Sequence, residues 1–149
     1  MADLAPLDAQ LKALLASASG AGMPRLSRRI AIALRKSQAE RIAAQQAPDG
    51  SAFEPRKPQP RLRTKSGRIK NMFHRLRTNK HLRIRSTATA AEVGFSGRDA
   101  RLAQVHQEGL IDAVNRRGLS VRYPVRTILG FAESDRRAIR DALVDHLSP

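Results

Sequence analysis

The decapeptide PDGSAFEPRK, Pro48 to Lys57, divides the chain into a helical half and a mixed half. Asp49-Gly50 is a turn dipeptide. Glycine reaches positive φ at no steric cost, and aspartate can accept a hydrogen bond from the backbone two residues on. Pro48, Pro55, Pro58 and Pro60 deny regular helix to the residues around them. Phe53 is the only large apolar residue between Ile42 and Leu62. It is therefore expected to anchor the turn, either to the sheet or to a neighbouring subunit. From Arg56 to Arg85 the chain carries twelve of its 28 Lys and Arg and no Asp or Glu. Neither a core nor a catalytic cleft has that composition; a surface that meets another molecule does.

Upstream of this stretch the pattern is helical. Leu4, Leu7, Leu11, Leu14, Leu15 and Ala18 recur at three- and four-residue steps, which predicts an amphipathic helix that Gly20 and Gly22 end. A second helix is predicted from Pro24 to Gln46, with Leu26, Ile30, Ala33, Leu34, Ser37 and Ile42 as its apolar stripe. Downstream, Ile69, Met72, Phe73 and Leu76 suggest a short helix. Leu82 to Ser86 and Thr87 to Phe95 read as strands, followed by a helix from Asp99 to Gln107 with Leu102, Ala103 and His106 on one side. Leu110 to Val114 and Val121 to Leu129 make a hairpin around Asn115-Arg116-Arg117-Gly118, and Pro124 marks its second arm as an edge. A final helix begins near Ser134, a candidate N-cap, with the stripe Ile139, Ala142, Leu143, His146 and Leu147. The class is α+β: N-terminal helices and a C-terminal helix around a small antiparallel sheet, with an extended basic arm. Three regions of one compact unit follow: residues 1–47, a helical hairpin or arm; 48–70, the turn and basic arm; 71–149, the body.

A chain of 149 residues suits one domain, and 41% apolar residues suffice for a modest core. The net charge of +15 directs it towards acidic partners, whether nucleic acid, an anionic membrane face or acidic protein. With no cysteine there is no disulfide framework, thiol nucleophile or Cys-based zinc site. No run has the ~18 apolar residues of a membrane span. LKALLASASGAG resembles a signal segment, but Asp3, Asp8 and Lys12 stand in the wrong places for one, so a soluble protein of a reducing compartment is expected. His74, His81, His106 and His146 are scattered and read as surface or half-buried side chains; none stands at HExxH spacing from a carboxylate. Glu108 and Asp112 are separated by the helix-breaking Gly109, and no phosphate-cradling glycine motif or nucleophile elbow occurs. No enzyme, cofactor or metal site is expected. Clustered cations can neutralise phosphates without reading bases, so a basic nucleic-acid-binding module is the bottom-up alternative. The interleaved aromatics of a single-strand platform are missing.

Four stretches stand in an order that resembles a known family: RRIAIALRKSQAERIAAQQAPDGSAFEPRKPQ (Arg28 to Gln59), MFHRLRTNKHLRIR (Met72 to Arg85), VHQEG (Val105 to Gly109) and VRYPVRTILGF (Val121 to Phe131). The resemblance is to the virion morphogenesis, or tail completion, proteins of contractile-tailed temperate phages. It implies a non-catalytic neck component that forms a ring of copies of itself, six-fold by expectation, at the end of the tail and helps to join tail to head. Implied partners are the tail tube or tail terminator, head-connector proteins and the DNA that passes through the neck, with no membrane. The implied location is the host cytoplasm during assembly and then the virion. Together with the charge pattern it points to Phe53, Arg56, Lys57, Arg61, Arg63, Lys65, Arg68, Arg75 and Arg77 as subunit or partner contacts.

Overall fold

The computed structural model of the chain describes residues 9–12, 20, 22–57, 71–113 and 115–148. Of the first expected helix only residues 9–12 are included, and they are helical. The rest of that helix and the basic arm between residues 58 and 70 lie outside the described residues.

Helix α1, Gly22–Ala43, is the spine of the molecule. Its 22 residues span about 33 Å at 1.5 Å per residue. The buried line is Leu26, Ser27, Ala31, Leu34, Gln38 and Ile42. Three- and four-residue steps persist, but the face is rotated from the expected stripe, and Ala33 is exposed. The rotation lets Gln38 reach inward, where it has backbone to bond. The helix ends in a Schellman arrangement: Gln45 takes the left-handed conformation (φ 58°), and the Gln46 N–H reaches back to the Arg41 carbonyl at 3.2 Å.

The PDGS turn follows directly. Gly50 N–H donates to the Ala47 carbonyl, Gly50 has φ 88°, and the Asp49 carboxylate accepts from the Ser51 N–H at 2.9 Å. The turn closes with an antiparallel bridge between Gln46 and Ala52. Phe53 N–H then donates to the Gln45 carbonyl, which aims the ring at the core.

Residues 72–77 form consecutive turns and not the expected helix. The physical reason is Phe73, whose φ of 62° breaks the helical run while Met72, Phe73 and Leu76 all stay buried. Strands β1, Arg83–Ser86, and β2, Ala91–Gly94, pair antiparallel with Ile84 opposite Val93. Helix α2, Gly97–Glu108, stops at Gly109 (φ 66°), as expected, although Leu102 points outward and Val105 inward. Strands β3, Ile111–Ala113, and β4, Ser120–Arg122, make a second antiparallel hairpin. The sheet expected as one is thus two separate two-stranded pieces. Helix α3, Glu133–Leu147, is capped at Ala132 and not Ser134. The carboxylate three residues on, Asp135, accepts from the Ala132 N–H at 2.9 Å.

α1 packs against β1, β2 and α3. The core cluster comprises Ile42, Phe53, Met72, Phe73, Leu76, Ala103 and Ile128, with Phe95 and Leu129 at its edge.

Candidate functional site

Two features stand out from the packing: a buried arginine–histidine knot and a set of exposed cations. The knot forms where the stretches that carry the family resemblance meet. Four rings run in series, each edge-to-face with the next. Phe53 lies 5.7 Å from Phe73, Phe73 is 4.9 Å from His106, and His106 is 4.8 Å from Tyr123. Arg126 closes the group. Its Nε donates to the Glu54 carbonyl at 2.7 Å, Nη2 to the Pro55 carbonyl at 3.2 Å, and Nη1 faces His106 Nδ1 at 3.1 Å. A guanidinium can only donate, so Nδ1 is the acceptor and the neutral imidazole carries its proton on Nε2. Burial, with the Arg126 and Arg56 charges beside it, pushes the His106 pKa down to about 4. Burial and the neighbouring Arg56 charge also lower Arg126, while Glu54 opposes them. The group fastens the PDGSAFEP stretch to α2 and to the segment after β4. Nothing in it presents a nucleophile next to a base.

Three glutamines make further long-range fastenings. Each amide grips a stretch of backbone by both its oxygen and its nitrogen. Gln38 holds Gly130 (2.9 and 3.2 Å), Gln45 holds Met72 (2.8 and 2.9 Å), and Gln107 donates to the Leu129 carbonyl while accepting from the Ile128 and Leu129 N–H groups. Beside them Ser37 bonds Asp135, and Arg41 bonds Gln38 and the Gln46 carbonyl. These amide clips do for irregular segments what a ladder does for a strand.

The residues expected as contacts separate clearly. Phe53 is 5% exposed, so its ring belongs to the core of this chain. Arg56 is half-buried beside the knot, and Lys57, Arg75 and Arg77 are exposed. Arg61, Arg63, Lys65 and Arg68 lie outside the described residues. Arg77 shares a groove with Arg35, Lys36 and Glu40 of α1; the two α1 cations were not singled out in the sequence because they read as the solvated side of a helix. His81 pairs with Asp99 at 2.7 Å on the partly exposed surface. Among the described residues no cluster of three or more His, Asp or Glu could hold a metal ion, and no helix is long and apolar enough to cross a membrane.

Fold and surface together define a small α+β protein in which most cations are exposed while the buried Gln38, Arg126 and Asp135 side chains bond backbone groups. The chain belongs to the phage virion morphogenesis family, which matches residues 2–148. It is similar to tail completion protein S of Escherichia phage P2, at 39% identity over 140 residues that cover 93% of each chain. No solved structure matches it.

Proposed function

We propose that this protein is a structural tail completion protein, assembled as a ring at the end of a phage tail where it helps to join the tail to the head. The 39% identity to tail completion protein S across 93% of both chains carries this reading. The physical chemistry supports it. Lys57, Arg75 and Arg77 are exposed, and a net charge of +15 favours acidic faces on a tail tube, a tail terminator or a head connector. The work is done by contact and not by catalysis, first in the host cytoplasm and then in the virion.

Tails made without this protein provide the test. Purified chain added to them should restore head joining, and electron microscopy should show added density at one tail end. Tails that accept heads equally well without the protein would exclude the reading. The groove that brings together Arg35, Lys36 and Arg77 favours a second contact, with phosphates of DNA crossing the neck. Its signature is a log–log salt dependence of duplex binding with a slope near −0.9 per phosphate neutralised. A flat dependence removes DNA as the target of that groove.

A further inference from the structure

The two hairpins of this fold are placed differently. β1 and β2 lie on α1, whereas β3 and β4 have no comparable packing on any helix or on the other hairpin. Among the described residues no third strand flanks them. Tyr123, just past β4, holds the base through its contact with His106. Beyond that point Ile111, Leu119 and Val121 are 54%, 58% and 37% exposed, and all of β4 is open to solvent. Leu119 and Val121 are two residues apart, the spacing of one strand face. A two-stranded ribbon is marginal in water unless a further surface covers it.

The charge on this hairpin is lopsided. From Leu110 to Val125 there are three arginines, Arg116, Arg117 and Arg122, and one carboxylate, Asp112. Asp112 pairs with Arg101 at 3.8 Å, and Arg122 Nη1 lies 3.5 Å from the Gly109 carbonyl. Glu108, at the end of α2, is the nearest other acid in sequence. Arg116 and Arg117 stand exposed at the tip, and among the described residues neither meets a carboxylate.

We propose that the β3–β4 hairpin docks on an acidic protein surface of another virion component. The side bearing Leu119 and Val121 enters an apolar cleft, and Arg116 and Arg117 meet carboxylates at its margin. Duplex DNA would satisfy the arginines only, since phosphates give exposed leucine and valine nothing to bury against. A second copy is the poorer match. Among its described residues no three acids gather closely enough to share a metal ion, and Asp99, Asp112 and Asp145 are already paired. The inference rests on the tail completion reading only for where the acidic partner is found.

Two experiments on the full chain test it, and the first needs no tails. The ¹⁵N-labelled chain is titrated with a short peptide of alternating Leu and Glu, and with its Ser-Glu counterpart. The Leu-Glu peptide should shift the amides of residues 111–122 most. Leu119→Ser should weaken its binding roughly tenfold, the effect of losing one buried leucine. Arg116→Glu with Arg117→Glu should abolish the shifts, and thermal melts of both variants should match wild type. Shifts that centre elsewhere, or that are equal for the two peptides, overturn the proposal. In the second experiment the chain bearing Leu119→p-benzoylphenylalanine is added to heads and to tails made without it, then irradiated. An adduct with an Asp- and Glu-rich segment of a tail or head protein is expected. Adducts with DNA or with a second copy, or none in tails that accept heads, overturn the proposal and leave the functional reading intact. A chain that tails never take up, yet that binds the Leu-Glu peptide through the hairpin, defeats only the functional reading.

Discussion

Arg126 is a charged side chain only 5% exposed, and its donors go to two carbonyls and an imidazole. Arg126→Met should therefore destabilise the fold by about 2–4 kcal/mol in chemical denaturation, because the Glu54 and Pro55 carbonyls and His106 Nδ1 lose their donors together. His106 gives a pH signature. Its folded pKa of about 4 lies below the ordinary histidine value of 6.5, so the unfolded chain binds the proton first. Stability from this group is complete above pH 6.5 and is lost as pH falls through 4, by about 2–3 kcal/mol. Denaturation midpoints between pH 7 and pH 4 measure the loss, and His106→Gln should flatten it. Phe53→Ala should cost about 3–5 kcal/mol, since the ring is buried against Phe73. That Phe53 is an anchor was legible from its isolation between polar neighbours, but it packs on Phe73 in the turns after Met72 and not on the sheet. The knot was not: the acceptors of Arg126 are main-chain carbonyls more than 70 residues away, and such acceptors carry no residue-type signal.

At the level of elements, the sequence marked those whose ends have a chemical stop. Gly109 ends α2, Asn115 to Gly118 turns the second hairpin, and Asp49-Gly50 turns the chain as expected. Elements were misread where tertiary contacts override periodicity. The spacing of Met72, Phe73 and Leu76 satisfies a helix equally well, yet Phe73 pays a left-handed φ in exchange for its place between Phe53 and His106. Likewise the buried line of α1 includes Gln38, which hydropathy assigns to solvent. The Gln38 clip and the close passage of Gly130 past Pro48 make one testable joint. A Cβ at Gly130 would stand 2.6 Å from Pro48 Cγ. Gly130→Ala is therefore expected to lower stability by roughly 1–3 kcal/mol through overpacking. Gln38→Ala should lose about 1–3 kcal/mol by leaving the Gly130 N–H and carbonyl without it. Thermal melts of both variants check the joint.

For the whole molecule, a net charge of +15 on 149 residues opposes self-association at low salt. Composition alone made that visible, and the family resemblance supplied the partners. It could not show which cations stand on a shared surface, because Arg35, Lys36 and Arg77 meet only through the packing of α1 on the turns after Met72. The basic arm supplies the corresponding test. Ordering a residue costs about 1–2 kcal/mol, and Arg61, Arg63 and Lys65 have few apolar neighbours in sequence to offset it. Replacing all three with Ala is expected to leave the melting temperature within about a degree while abolishing incorporation into tails. A substantial drop in melting temperature would place the arm in the core.

The amide clips also set a timetable. Gln38 must wait for Gly130, 92 residues later, and the carbonyls of Glu54 and Pro55 must wait for Arg126. At roughly 5–20 residues per second, α1 leaves the ribosome many seconds before the backbone it is built to hold. A nascent chain stalled near residue 100 is therefore expected to be digested by protease where a chain that includes Gly130 resists. The fastenings of this fold can close only after Arg126 and Gly130 have been made.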